Sequence, residues 1–232
     1  MQANSLEETF KQICASEAPL HERLADFSAA VRVHGLPFAE AYDELVARLR
    51  SEKVGSTAPG PGDMMPSFLL PDKNGRLYDL KDLLAKGPAV ISFNRGHWCE
   101  YCAIELTALS QAMEKIRTRG TTTVCIMPEP PELTAKVGAR INNAFSVLSD
   151  FDNSYAQTLG LTIWLGDRVR DLYVSHGLYI DRFQGNGRWF VPVPATYVVG
   201  QDGCILARHV DPDFRSRMDI EDIIAALPPP RH

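Results

Sequence analysis

Two cysteines three residues apart, Cys99 and Cys102, are the residues of this chain best suited to chemistry. On the first turn of a helix such a pair shares a face, within reach of a disulfide that closes and reopens without unfolding. The segment Asn94-Arg95-Gly96-His97-Trp98-Cys99-Glu100-Tyr101-Cys102 lies between a continuous apolar run and a helical pattern, so Cys99 falls at or near a helix N-terminus. Unpaired N–H groups and the helix dipole favour an anion there, which commonly lowers a cysteine pKa from about 8.5 toward ~4–7. The expected chemistry is a dithiol–disulfide cycle that uses no bound cofactor and no metal. A Cys-x-x-Cys pair is also half of a structural zinc site, but no second close pair of Cys or His ligands accompanies it. Inert packing accounts poorly for two cysteines in a first helical turn beside Arg95 and Trp98. Trp98 reads as a cover on the cysteine pocket, and His97 as a solvent-facing loop residue or a proton acceptor. Glu100, between the cysteines, disfavours their thiolates. Cys14, Cys125 and Cys204 stand singly in helical or strand patterns and read as core residues.

These residues need a strand and a helix to hold them. Ala89–Phe93, launched by Gly87-Pro88, is an unbroken apolar run suited to a buried central strand. A helix from about Trp98 to Arg117, a strand at Thr122–Met127 and a helix near Glu132–Ile141 then complete a βαβ-type unit. Phe145–Leu148 reads as a short strand and Ser154–Leu159 as a short helix. Upstream, Ser67–Leu70 and a Lys73-Asn74-Gly75 turn suggest a hairpin. Downstream, Ala195–Val199 and Cys204–Val210 flank a Gln201-Asp202-Gly203 turn as a second hairpin, and Asp219–Leu227 closes the chain as a helix. Ile163–Phe190 reads as a long insertion with partial helix, its aromatics and Gly177, Gly185 and Gly187 forming a packed loop or a rim over the active site. From Ser5 to about Lys53, helical periodicity predicts a pair or trio of helices. Leu20, Leu24, Phe27 and Val31 form one stripe and Phe38, Tyr42, Leu45 and Leu49 another. The expected division is an N-terminal helical extension at 1–54, a Gly/Pro linker at 55–66, the main α/β domain at 67–227 and a fraying tail at 228–232.

A chain of 232 residues buries a sizeable core without disulfide staples. With 45% apolar and 23% charged residues it has the composition of a folded globular protein. A net charge of −5 gives no electrostatic reason to expect nucleic acid or an anionic membrane as partner. The polar, acidic start lacks the pattern of an export signal, and no run of about eighteen apolar residues offers a membrane span. The expected location is the cytoplasm, where thiols are kept reduced.

Trp98-Cys99-Glu100-Tyr101-Cys102 resembles the active-site W-C-x-x-C of thioredoxin, and Val193-Pro194-Ala195-Thr196-Tyr197 is similar to the segment where thioredoxins place a cis-proline facing their disulfide. A wider resemblance runs from about Gly62 to Leu227. It is carried by Pro66-Ser67-Phe68-Leu69-Leu70-Pro71, by Arg95 through Leu106, and by Tyr197 to Asp213. In this order and spacing the chain resembles the alkyl hydroperoxide reductase/thiol-specific antioxidant (AhpC/TSA) family, and in particular a peroxiredoxin-like branch. The resemblance implies a thioredoxin-like fold, a central mixed sheet flanked by helices. Matching Cys102 and Glu105 to the end of the family pattern P-x-x-x-T/S-x-x-C-x-x-E puts Cys102 at the peroxide-attacking position. The family's proline then falls on Arg95, its threonine on Cys99 and its later arginine on Pro194, so two groups that ordinarily orient peroxide are replaced. Arg95 is the candidate source of the missing positive charge.

Two mechanisms follow. As a peroxidase, Cys102 attacks peroxide, Cys99 condenses with the sulfenic acid, and thioredoxin or a glutathione-type reductant restores the dithiol. As a thioredoxin-like disulfide reductase, Cys99 attacks a substrate disulfide, Cys102 resolves it, and Pro194 lines the docking groove. Peroxide reduction is the leading expectation. A non-enzymatic redox-sensing module is the third reading. Homodimerisation fits the resemblance, because thioredoxin-fold antioxidants often pair.

Overall fold

A computed structural model describes residues 5–184 and 187–229. Three helices come first: α1 (Leu6–Ala15), α2 (Leu20–His34) and α3 (Leu36–Ser51). A capping box starts α1, the Ser5 hydroxyl accepting from the Glu8 N–H at 3.2 Å while the Ser5 N–H donates to the Glu8 carboxylate at 3.0 Å. A hairpin of β1 (Leu69–Pro71) and β2 (Leu77–Asp79) leads through α4 (Leu80–Leu84) to β3 (Ala89–Phe93). Then follow α5 (Glu100–Gln111), α6 (Met113–Arg117), β4 (Thr122–Met127), α7 (Pro131–Arg140), β5 (Ser146–Ser149) and α8 (Ser154–Thr158). The remainder is β6 (Thr162–Trp164), α9 (Asp167–Ser175), β7 (Phe190–Pro192), β8 (Ala195–Val199), β9 (Ile205–Val210) and α10 (Ile220–Ala226).

Five strands form one mixed sheet in the order β5-β4-β3-β8-β9. β3 runs parallel to β4 and antiparallel to β8, and every one of its residues is buried. The period-two alternation of its side chains splits the core. Ile91 and Phe93 pack on one face with Val124, Ile126 and Tyr197. Val90 packs on the other with Leu106 and Ile116. A third apolar cluster joins the N-terminal helices to the cysteine segment: Leu24, Phe27, Val31 and Leu45 pack in it with Cys99, Cys102, Tyr173 and Phe214. This is the thioredoxin-like α/β architecture that the resemblance implies.

Several elements depart from the sequence expectation. The helix expected to reach Arg117 breaks at Ala112, whose φ of −88° and ψ of −1° divide α5 from α6. The stretch 163–190 contains α9 and contributes β6, which pairs with β7 through Ile163↔Val191. Strands of three residues are too short for alternation to reveal them. The Gly/Pro stretch expected as a linker is tied to the last hairpin, Gly62 N–H donating to the Ile205 carbonyl and Met65 N–H to the Gly203 carbonyl, both at 2.9 Å. The Val193–Pro194 bond is trans, since no peptide among the described residues is cis. The chain there runs from β7 directly into β8 without the tight turn that favours a cis-proline. Gly185 and the tail residues from Pro230 onward lie outside the described residues. No described helix is long and apolar enough to cross a membrane.

Candidate active site

β3 ends at Phe93, the chain turns through Asn94–Trp98, and α5 begins with Cys99 as its N-cap residue and Cys102 in its first turn. Gly96 makes the turn possible. Its φ is +146°, and a Cβ there would stand 2.5 Å from Trp98 Nε1 and 2.7 Å from Glu129 Oε1. Only glycine fits such a position without strain. Glu129, fully buried at the end of β4, accepts the His97 N–H at 2.8 Å and pairs with His97 Nδ1 at 2.7 Å. His97 is therefore not the solvent-facing residue expected of a loop histidine; its ring also packs on Phe183 at 4.9 Å.

The two sulfurs face each other at 2.8 Å, and Cys99 and Cys102 are only 3% and 1% exposed. Small side-chain rotations bring them to bonding distance. The backbone N–H of Arg95 donates to Cys102 Sγ at 3.5 Å, and Nη2 of Arg217 donates to the same sulfur at 3.7 Å. Glu105, one turn further along α5, anchors Arg217 by accepting its Nε–H at 2.6 Å. Ser92 Oγ donates to the other carboxylate oxygen at 2.9 Å. The carbonyls of Phe214 and Ser216 hold the rest of the Arg217 guanidinium.

Arg95 carries its charge differently from the sequence expectation. Its backbone touches Cys102, while its buried guanidinium donates to the Tyr173 hydroxyl at 3.3 Å and lies over the rings of Phe214 (4.1 Å) and Trp98 (5.0 Å). Among the described residues it makes no ion pair. Two buried guanidinia thus flank the thiols; Glu105 pairs with Arg217, Glu129 is committed to His97, and burial holds the Glu100 carboxyl, between the cysteines, above its usual range. Guanidinium does not lose its proton, so this arrangement favours one anion among the sulfur atoms.

That anion is Cys102. Burial pushes its thiol up, but the hydrogen bond shared with Cys99, the Arg217 guanidinium, the Arg95 N–H and the Arg95 charge outweigh it and lower the pKa to about 7. Burial pushes Cys99 well up, and the hydrogen bond to Cys102 and the neighbouring negative charge add to this. Helix position alone favoured an anion at Cys99; side-chain charges that arrive from elsewhere in the fold select Cys102. Cys125 is buried beside Asn94, whereas Cys14 and Cys204 are half-buried rather than fully in the core.

Of the site residues read from sequence, Cys99, Cys102, Arg95, Trp98 and Glu105 converge. Pro194 is buried before β8 and, in its trans form, does not reproduce the thioredoxin-like feature that suggested it. Arg217, Tyr173, Phe214 and Glu129 were not legible. Arg217 and Phe214 sit in the irregular segment between β9 and α10, more than a hundred positions from Cys102, with no local motif to mark them. Among the described residues no three His, Cys, Asp or Glu side chains converge to hold a metal ion.

A family model described as AhpC/TSA family matches residues 61–208. The thiol-disulfide oxidoreductases ResA of Bacillus thuringiensis (strain Al Hakam) and Bacillus anthracis are each 20% identical over 158 residues, 68% of this chain and 74% of theirs. The peroxidoxin BcpB from Mycobacterium tuberculosis shares the fold with a TM-score of 0.56 at 20% identity, covering 72% of this chain and 95% of its own. Reduced Prx3 from Vibrio vulnificus, solved in complex with H2O2, has a TM-score of 0.57 at 17% identity, over 73% of this chain and 99% of its own.

Proposed function

The chain belongs to the AhpC/TSA family, a family of thiol-dependent oxidoreductases, and on that premise we propose that it reduces peroxides with Cys102 as the attacking thiolate and Cys99 as the resolving thiol. The observation that carries this reading is the pairing of Arg217 with Cys102 Sγ at 3.7 Å, with Glu105 fixing the guanidinium. In the first step the Cys102 thiolate attacks one oxygen of ROOH. The O–O bond breaks, the sulfur becomes a sulfenic acid, and the departing RO⁻ takes a proton and leaves as ROH. Arg217 and the Arg95 N–H face the charge that moves from sulfur to oxygen. In the second step Cys99 attacks the Cys102 sulfur, water departs and the disulfide closes. A dithiol reductant such as thioredoxin, or glutathione, then returns two electrons and two protons. Site, extension at 1–54 and main domain at 67–227 work as one unit in this reading, in the cytoplasm, as a monomer or a homodimer.

The alternative, disulfide reduction with Cys99 as nucleophile, is favoured by the names of the curated relatives. The raised pKa of Cys99 opposes it, as does the burial of both sulfurs, which hinders a protein disulfide more than a small peroxide. A turnover assay separates the two. With NADPH, thioredoxin reductase and thioredoxin, the wild type is expected to consume peroxide, and Cys102→Ser to lose that activity entirely. Reduction of an insulin-type disulfide by the wild type without peroxide consumption would overturn the peroxidase reading.

A further inference from the structure

Arg95 is a fully buried cation that makes no ion pair among the described residues. Its Nε finds no acceptor, and Nη2 donates to a neutral hydroxyl, that of Tyr173. What stands against the guanidinium instead is an aromatic face, the Phe214 ring, 4.1 Å from its carbon. The backbone carbonyl of the same residue accepts from Arg217 Nη1. Phe214 therefore touches both cations that flank the thiols, one through its ring and the other through its main chain, and it lies beyond the residues that match the family model. We propose that Phe214 is a positioning residue for the thiol chemistry, its ring holding Arg95 beside the cysteine pair without neutralising it, so that the charge acts undiminished on the sulfurs.

The proposal deepens the peroxidase reading, since it rests on a Cys102 thiolate and says what keeps a positive charge available to it. Its first support is the contrast between the two cations. Glu105 takes Arg217 at 2.6 Å and cancels much of its field, as a carboxylate partner does. A ring attracts a desolvated cation through its quadrupole yet carries no net charge, so Arg95 is held and its field survives. The second support is that the ring is fixed. Phe214 is 2% exposed, and the rings of Tyr42 and Tyr101 meet it nearly at right angles, at 5.0 and 5.6 Å. The next residue, Arg215, binds Asp213 and Asp43, each at 2.7 Å. Tyr42 and Asp43 both belong to α3, which gives the N-terminal helices a part in placing the charge. The third support is reach. The Arg95 backbone N–H already touches Cys102 Sγ, and its charge favours the thiolate of either cysteine. The other charged or titratable groups around the sulfurs and Arg95 are Glu100 and Glu105 on α5, Tyr42 on α3, Tyr173 on α9, Cys125 on β4 and Arg217.

The test changes the electrostatics of the ring while leaving its size nearly constant. Mono-, di- and trifluorophenylalanine are placed at position 214 of the full chain, each added fluorine withdrawing charge from the π face and weakening its hold on a cation. Phe214→Leu removes the ring outright. The ionisation midpoint of Cys102 is read from ultraviolet thiolate absorbance, as the difference from Cys102→Ser, so no substrate is needed. Phe214→Leu is expected to raise the midpoint by about one unit from its value near 7, leaving roughly fivefold less thiolate at neutral pH. The fluorinated proteins should fall between wild type and Phe214→Leu in the order of their fluorine count. In an Arg95→Met background the same series should be flat, because the ring then has no cation to hold. Midpoints within about 0.2 unit of wild type in the trifluoro protein would overturn the proposal, since near-isosteric packing alone predicts that result. So would an equal climb in the Arg95→Met background, which would mean that the ring acts on the thiol by some other route. A midpoint that climbs with fluorine count, in a protein that consumes no hydrogen peroxide, would support the positioning role and overturn the peroxidase reading alone.

Discussion

At Cys102 a burial penalty that opposes the thiolate competes with donors that favour it, and the donors prevail because they are fixed. Removing Arg217, the cation nearest the sulfur, shifts that balance. The rate of peroxide reaction in the wild type is expected to rise with pH about a midpoint near 7. In Arg217→Met the midpoint should move up toward the ordinary thiol value of about 8.5, with a rate loss of about tenfold at neutral pH. Stopped-flow rates between pH 5 and 9 would check this, at roughly one-unit steps. Stability is linked to the same group. A depressed folded-state pKa means that the native protein binds fewer protons than the unfolded chain between about 7 and about 8.5. The Cys102 contribution is therefore complete above the unfolded value and lost as pH falls through 7. In the sequence, Cys99 and Cys102 were legible because their spacing places them on one face of a first helical turn, and Glu105 because it matches the end of the family pattern that the chain resembles. Arg217 was not, since only the return of the chain after β9 brings it to α5.

At the scale of elements, the turn between β3 and α5 does the positioning. The buried strand and the helix after it were readable from an unbroken apolar run and a helical pattern, and β3, β4, β8 and the N-terminal helices correspond closely to those readings. The clamp between them was less visible. Glu129 comes from the end of β4, and nothing in the local sequence around Gly96 announces it. Gly96→Ala is expected to cost about 1–3 kcal/mol in denaturant unfolding, because it combines an unfavourable φ with contacts under 3 Å to Trp98 and Glu129. It should also alter Trp98 fluorescence, since the indole must move. The short β6–β7 ribbon escaped the sequence because its pairing is long-range and each strand offers three residues. Between them, α9 supplies Tyr173, so the segment read as a packed loop or a rim does reach the site.

Across the whole molecule, the N-terminal helices and the cysteine segment share one apolar cluster, and the thiols are buried partly for that reason. A small peroxide meets less obstruction in such a site than a protein disulfide does. Ion pairs decorate the same seam: Asp43 accepts from Arg215 at 2.7 Å and from Arg32 at 2.9 Å, with its own side chain 43% exposed. Apolar packing is expected to dominate. Phe27→Ala should destabilise by about 3–5 kcal/mol. Asp43→Asn should cost no more than about 1 kcal/mol, because exposed pairs are weak. Chemical denaturation of both variants would check the contrast. Amphipathic stripes revealed the extension in the sequence, but not that it closes over the thiols, because a stripe does not name the surface it meets.

The most direct measurement of the central claim uses the single-cysteine variants. Cys99→Ser and Cys102→Ser are exposed to one equivalent of hydrogen peroxide with dimedone present, and the adduct is located by mass spectrometry. A sulfenic acid trapped at Cys102 in Cys99→Ser, with no adduct at Cys99 in Cys102→Ser, is the expected result. A trapped sulfenic acid at Cys99 with Cys102 unreactive would contradict it.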